Sequence, residues 1–386
     1  MVASARAPAS LPDGGRFVTL DSWRGIAALG VAVHHLNGSG PLLTGPLHDN
    51  LGAAVDFFFV LSGFVIVAAY GERLAAGFST LRFMVLRAGR VWPLHAAMVA
   101  LYLVLELAYA VAGGGALGGR APFTGARDPV ALVPVILLLQ EYVYPQRDLW
   151  NVQSWSISVE LGLYFGAALL WRFAGRRAVI VAAVAALLAL VLIDGGWAGV
   201  WGNLLRGVAG FGLGAGVWTL FRRLPNAGIR AMAGFEIATA IAAVAAIAAA
   251  APTALSDSVF AALVLVFARE QGPLSRALRS PPFVWLGALS YSLYMVHGMV
   301  IGRILDLAAV VQSRVGARWV DDRIGGVAEL TLAPLPATCA ALAMLAAALV
   351  AAWLAWRLIE WPARQWSRRR AAWLGVGAEE AQAPTI

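Results

Sequence analysis

The first apolar stretch of the chain carries charged and titratable side chains within a segment long enough to cross a membrane. Residues 20–35 read LDSWRGIAALGVAVHH. Arg24 and His35 are eleven residues apart, which at about 100° per residue is three turns plus about 20°, so both side chains face the same way. They are separated by about 16 Å along the axis, roughly half the thickness of the hydrocarbon layer. Ionisable groups are costly at such depths and normally mark a pathway or a reaction centre.

The composition is typical of a protein with many membrane spans. The 386 residues are 60% hydrophobic and only 13% charged, with a mean hydropathy of +0.75, whereas about a quarter of the residues in a soluble chain are charged. The net charge of +8 comes from 29 basic residues that are all arginine, and most of them lie between apolar segments. We therefore expect a lipid bilayer, and no nucleic acid, as the partner of this basic chain.

Cysteine usage and the N-terminus set two further expectations. The single cysteine, Cys339, excludes an internal disulfide and a cysteine metal cluster, and we expect no metal site. Residues 1–19 are polar and contain proline and glycine, and no small-residue cleavage site follows the first apolar stretch. This stretch is therefore expected to be a retained membrane helix.

The apolar segments predict an all-α membrane bundle of about ten transmembrane helices plus a re-entrant segment. A piece at 130–144 is short and flanked by prolines, and counting it as a span would place most later arginine clusters outside. If this segment enters the membrane from the outer side and returns to the same side, twenty arginines fall on the cytoplasmic side and six outside. This distribution is the one that the positive-inside rule expects. Both termini are then cytoplasmic, with tails at 1–16 and 367–386. The ten predicted spans are 20–37, 52–70, 91–112, 154–171, 178–194, 199–220, 231–250, 253–268, 283–304 and 333–357.

His35 is the stronger candidate of the two adjacent histidines in the first span. It shares a face with Arg24, whereas His34 points about 80° away. A neutral imidazole can take a proton from a hydroxyl. The alternative is a histidine that hydrogen-bonds across the bundle for stability, but its alignment with an arginine favours a functional role.

Two carboxylates within predicted spans leave their roles open. Asp56 begins the stretch DFFFVLSGF and could pair with Arg24 or His35, or stabilise the bundle by another ion pair. Glu160 ends the stretch WSISVE at 155–160 and should face protein or water rather than lipid. For Glu160, structural pairing with Arg206 competes evenly with a catalytic role.

Two arginines precede the third predicted span, in the stretch RAGRVWP at 87–93. Arg87 and Arg90 are three residues apart and so are neighbours on one helical face. Guanidinium groups match phosphate oxygens in geometry and charge, which suits a phosphorylated ligand. Ordinary positive-inside anchoring is the alternative for this pair.

The ninth predicted span adds hydroxyls and a histidine, in the stretch LGALSYSLYMVH at 286–297. Tyr294 and His297 are three residues apart and could line a cavity, although either could equally hold helices together by hydrogen bonds.

Together these segments resemble the integral-membrane acyltransferase 3 family, whose members O-acylate sugars and related molecules. The similarity covers the arginine–ten residues–histidine motif at Arg24 and His35, the stretch from Asp56, the Arg87–Arg90 pair, WSISVE, the segment from Ser290 to His297, and IEWP at 359–362. Each motif is loose, but six in order over residues 17–366 are specific. Val296 and Gly298 stand where the family usually has aromatic residues beside the histidine, and Trp361 replaces a common arginine.

The resemblance implies a multi-pass acyltransferase domain of the plasma or inner membrane that binds no cofactor permanently. The donor would be a cytoplasmic acyl-coenzyme A, with acetyl expected, and the acceptor a hydroxyl of a carbohydrate or glycan. Arg87 and Arg90 would bind coenzyme A, whose arm would pass Arg24, with His35 as general base and Glu160 a further catalytic candidate. Substrate-binding candidates are Asp56, Ser158, Tyr294 and His297. The rival prediction is a multispan transporter or flippase, which would more often show two related halves.

Overall fold

The computed structural model describes residues 16–113, 121–225, 228–324 and 327–374, and within these ranges the fold is a helical bundle. Each of the ten predicted apolar segments falls on a helix. The long helices are α1 (Val18–His34), α2 (Ala54–Ile66), α3 (Thr80–Val111), α4 (Ser154–Ala174), α5 (Ala178–Asp194), α6 (Gly202–Arg223), α7 (Ile229–Ala248), α8 (Thr253–Phe267), α9 (Pro281–Val315), α10 (Pro334–Ala355) and α11 (Trp361–Trp373).

Short elements connect the long helices. Strands β1 (Val320–Ile324) and β2 (Val327–Leu330) form an antiparallel pair after α9. The short α-helices are Pro46–Asn50, Glu72–Ala75, Leu132–Ile136, Gln140–Val143 and Pro273–Leu278, and single 3-10 turns lie at Leu51–Ala53, Gly125–Arg127, Pro129–Ala131, Gly175–Arg177 and Gly199–Trp201. Two turns are π-helical, at Val67–Gly71 and Trp356–Glu360.

Seven stretches of the described chain are long and apolar enough to cross a bilayer, so the protein is a polytopic membrane bundle. One of them, Ser154–Asp194, has 41 residues and contains two predicted spans, which separate at Gly175, where φ is 55°. The helices α1 and α8 have 17 and 15 residues and are shorter than a usual span. The total of ten spans therefore stays a prediction.

Residues 130–144 fold as two short helices that are too short to span a membrane. They pack between α3 and α4: the indole of Trp92 donates to the Ile136 carbonyl at 2.8 Å, and Nε2 of His95 lies 2.7 Å from the Val135 carbonyl. His95 is sixteen residues before the end of α3, or about 24 Å along that helix. The segment therefore reaches far down the bundle before the chain turns back into α4, as a re-entrant segment does.

Two helix boundaries differ from the sequence prediction. The third helix starts at Thr80 rather than at 91, because the Ser79 hydroxyl caps it by accepting from the Arg82 amide at 3.4 Å. The second difference is near the C-terminus, where α11 runs to Trp373 and so enters the predicted tail at 367–386. It packs on α3, where the Arg82 side chain donates to the Ala371 carbonyl at 2.9 Å. Residues 1–15 and 375–386 of the two predicted tails lie outside the described residues.

The close contact of α1 with α9 positions the functional residues of both helices. At Gly25 a Cβ atom would lie 2.6 Å from the Gly287 backbone nitrogen, and at Gly287 a Cβ would lie 2.5 Å from the Asp21 carbonyl oxygen. Only glycine permits this approach of two helix backbones. Consequently the polar residues of α1 contact those of α9 directly.

Candidate active site

An open cavity of about 770 Å³ lies between α1, α2, α3, α4 and α9. Its wall combines three arginines and one carboxylate with hydroxyl and aromatic side chains. The lining residues include the predicted Arg24, Arg87, Arg90, Glu160 and Tyr294, together with Phe58, Ser62, Ser156, Tyr164, Ser290 and Tyr291.

One part of the cavity wall is cationic. Arg24 is held by Asp21, whose carboxylate lies 3.0 Å away, and donates through Nε to the Ser290 hydroxyl at 2.8 Å. Among the described residues, no carboxylate lies within ion-pair distance of Arg87 or Arg90. Arg87 and Arg90, which lack an acidic partner among the described residues, share the cavity wall with Arg24. Together these guanidinium groups form a site for an anion.

Arg87 is held in place by the π-helical turn at Val67–Gly71. Its Nη2 donates to the Tyr70 hydroxyl at 3.3 Å, and its guanidinium carbon lies 5.0 Å from the Tyr70 ring centroid. The side chain is buried, with 6% of the residue exposed, and its Nε has no hydrogen-bond partner among the described residues. An unsatisfied donor on a buried cation favours an anionic ligand at this position.

Glu160 lies on the cavity wall but makes no ion pair with Arg206. The hydroxyls of Ser62 and Tyr164 both donate to its Oε1. Glu160 neither balances Arg24, which pairs with Asp21, nor contacts His35. The carboxylate remains available to a ligand through its second oxygen.

A hydrogen bond between α4 and α9 lies at the opposite end of the cavity from the arginines. The hydroxyls of Ser156 and Tyr294 are 2.8 Å apart, and the Phe58 ring stands edge-on to Tyr294 with centroids 5.8 Å apart. His297 is one turn further along α9 than Tyr294. Ser156 and Tyr294 line the cavity but His35 and His297 do not, so the histidines lie beyond this contact.

His35 and His297 form an imidazole pair at this level. Nδ1 of His35 lies 2.8 Å from the Val31 carbonyl and 3.3 Å from Nε2 of His297, and Nδ1 of His297 lies 3.0 Å from the Leu293 carbonyl. A carbonyl accepts only, so each Nδ1 carries the proton in the neutral rings. No described residue hydrogen-bonds to Nε2 of His35, which therefore keeps a free lone pair. His34 faces elsewhere, with its Nδ1 3.0 Å from the His48 carbonyl.

Two of the candidate substrate-binding residues lie away from the cavity. Asp56 pairs with Arg206 at 2.8 Å and not with Arg24 or His35. Ser158 is fully buried and donates to the Leu138 carbonyl at 2.8 Å, so it anchors the re-entrant segment. Side chains two residues apart point to different sides of a helix, and Ser156 takes the cavity position.

Several residues of the site were not identified from the sequence, although helical spacing could have found some of them. Ser156 is four residues before Glu160, and Asp21 is three residues before Arg24, so both share a face with a predicted site residue. Tyr164, four residues after Glu160, has the same signal. Tyr70 carries none, because its role depends on which helices meet.

Comparisons with known proteins identify the family of the chain. Residues 17–357 match the model of the acyltransferase 3 family, described as an acyltransferase domain. Protein 2 in the picA locus of Rhizobium radiobacter is 39% identical over 90 residues, which are 22% of this chain and 44% of that protein. The matched region spans less than half of that relative, whose description gives a locus and no activity. No solved structure matches the chain.

Proposed function

The chain belongs to the acyltransferase 3 family and is a membrane acyltransferase, and we propose that it moves an acyl group from acyl-coenzyme A to a hydroxyl of a sugar or glycan acceptor. We further propose that the group is acetyl, that both termini are cytoplasmic and that the protein lies in the plasma or inner membrane. The observation that carries the proposal is the cavity that runs from unpaired arginines towards a histidine with a free Nε2.

The cationic end of the cavity suits the donor. Coenzyme A carries several phosphate groups, and in the described part of the chain no acidic partner of Arg87 or Arg90 competes with them. The thin pantetheine arm would extend past Arg24 along the cavity, towards the Ser156–Tyr294 contact. The tyrosine and serine would then have to part for the thioester to reach His35.

His35 would act on the acceptor as a general base. The acceptor oxygen attacks the thioester carbonyl carbon while Nε2 of His35 takes the hydroxyl proton. The carbon–sulfur bond then breaks, the ester is released, and the imidazolium returns the proton to the coenzyme A thiolate. His297 contacts the proton-bearing Nδ1 of His35 and so fixes the ring orientation.

The direct test is acyl transfer by the purified, lipid-reconstituted protein, with acetyl-coenzyme A labelled in the acetyl group. We expect label to appear in ester linkage on a sugar acceptor, and His35→Ala to remove it. Uptake of an acceptor into vesicles without ester formation would instead support the transporter alternative and contradict the proposal.

A further inference from the structure

Gln153, immediately before α4, contacts Gly298, the residue that follows His297 on α9. Gln153 is 6% exposed, and its side-chain amide packs directly on the backbone of Gly298. A Cβ atom at Gly298 would stand 2.3 Å from Nε2 and 2.9 Å from Oε1 of Gln153. The absence of a side chain at position 298 therefore creates the space that the amide occupies.

Gln153 continues the row of cavity residues on α4. Gln153, Ser156 and Glu160 follow one another at helical spacings of three and four residues, so they share one face. Ser156 bonds to Tyr294, and Gly298 is four residues beyond Tyr294 on α9. Gln153 therefore lies about one turn, or about 5 Å, past the Ser156–Tyr294 contact, at the level where His297 contacts His35.

The amide of Gln153 makes no hydrogen bond with any described residue. The residue is 6% exposed, but neither Oε1 nor Nε2 is a fully buried atom, so a ligand can reach the amide. The neighbouring Asn151 is bound to α9 through Nδ2, which donates to the Met295 carbonyl at 3.2 Å, and its Oδ1 is fully buried without a described partner. Gln153 thus offers one donor and one acceptor group to a ligand at the histidine end of the site.

The loop that carries Gln153 is rigidly held. Trp150 is fully buried and has a φ of 50°, a left-handed conformation that is uncommon for a bulky residue and that tends to occur at functional sites. Its backbone amide donates to the Ala126 carbonyl at 2.7 Å and its indole to the Asp128 carbonyl at 3.0 Å. With Asn151 bound to α9, the position of Gln153 relative to His297 is well defined.

We propose that Gln153 binds the acceptor, by hydrogen bonds to a polar group adjacent to the hydroxyl that is acylated. A side-chain amide that donates and accepts at once can bind two neighbouring hydroxyls of the sugar-type acceptor proposed above, whereas a simple alcohol offers no such pair. This inference rests on the proposed acyl transfer, and Gly298 contributes to it by admitting the amide.

The test compares transfer from acetyl-coenzyme A to two kinds of probe acceptor. Methyl glycosides of the common hexoses have neighbouring hydroxyls, and cyclohexanol has one hydroxyl on a ring of similar size. We expect Gln153→Ala to lower kcat/KM for the best methyl glycoside by about 3- to 10-fold, the loss expected for one or two neutral hydrogen bonds. The value for cyclohexanol and the KM for acetyl-coenzyme A should stay within about twofold.

Glycine variants test whether the amide of Gln153 acts from its position against Gly298 of α9. Gly298→Ala should displace the flexible end of Gln153 and reproduce the loss, and the double variant should be no worse than either single one. Gly302→Ala is the matched control, since no atom lies within 4 Å of a Cβ there, and it should behave like wild type. Size-exclusion profiles and donor binding establish that each variant is folded.

Four results would overturn the inference. An equal fall for both acceptor types, or a raised KM for the donor, would make Gln153 a structural residue. Unchanged kinetics in Gln153→Ala would show that it binds nothing. A wild-type protein that acetylates cyclohexanol but no methyl glycoside would leave acyl transfer standing and reject the acceptor class. Transfer to neither would contradict the proposed function, and this inference with it.

Discussion

Replacing His35 with glutamine is expected to stop acyl transfer while leaving the fold and donor binding in place. The structural reason is that the two ring nitrogens of His35 have different surroundings. Nδ1 lies 2.8 Å from the Val31 carbonyl and 3.3 Å from His297, whereas Nε2 makes no hydrogen bond with any described residue and is free to accept a proton. Glutamine retains polarity and hydrogen bonding but cannot act as a base at neutral pH.

The two consequences of this change differ greatly in size. The stability at stake is about one neutral hydrogen bond, or about 0.5–1.5 kcal/mol. Loss of a general base lowers the rate by about 10²–10⁴-fold, which corresponds to about 2.7–5.4 kcal/mol in activation free energy. The catalytic loss should therefore far exceed any packing defect.

The assay measures transfer from labelled acetyl-coenzyme A and donor binding side by side for His35→Gln, His35→Ala and His34→Ala. His34 is the matched control, because it is adjacent in sequence but hydrogen-bonds to the His48 carbonyl instead. Near-normal turnover by His35→Gln would refute the base assignment and leave His35 as a positioning group. Loss of donor binding in the same variant would instead place His35 in the donor site.

Three other predictions follow from charged residues. Arg87→Ala and Arg90→Ala should each weaken donor binding by about 10- to 100-fold in titrations with coenzyme A, and lysine at either position should restore it in part. Wild-type affinity in both variants would mean that these arginines only anchor the topology. Asp56→Ala leaves Arg206 without its partner and should lower the free energy of unfolding by about 1.5–3 kcal/mol, measured by thermal unfolding. The control Glu72→Ala breaks an exposed pair with Arg222 and should lower it by less than about 1 kcal/mol. With Cys339 replaced, a cysteine at position 147 and one at position 120 should both react with an impermeant reagent from outside, and labelling of these two positions from opposite sides would contradict the re-entrant model.

The helices could be predicted from the sequence because each is encoded locally. An apolar run bounded by polar or glycine residues predicts a membrane helix without reference to its neighbours, and all ten runs fall on helices. Helix α3 starts eleven residues before the predicted span, because the span was bounded by hydropathy and Arg82, Arg87 and Arg90 precede its apolar run. Within the helix, Arg82 bonds to α11, and Arg87 and Arg90 line the cavity.

Helical phase within one segment was equally predictable. Arg24 and His35 both contact α9, through Ser290 and His297, as their eleven-residue spacing requires. The choice of partner between segments was not predictable, because it depends on tertiary contacts. Asp56 could reach several cations in principle, and only the packing of α2 on α6 selects Arg206.

The free energy of donor binding at the arginines can be compared with the cost of opening the Ser156–Tyr294 hydrogen bond. Under the proposed function, His35 becomes accessible to the thioester when the Ser156–Tyr294 hydrogen bond opens. This bond joins two neutral hydroxyls, so breaking it costs about 0.5–1.5 kcal/mol. Each charge-assisted contact between a donor phosphate and Arg87 or Arg90 contributes about 1.5–3 kcal/mol. Binding energy at the cationic end is thus sufficient to open the histidine end, which is how interactions remote from the reacting bond promote catalysis.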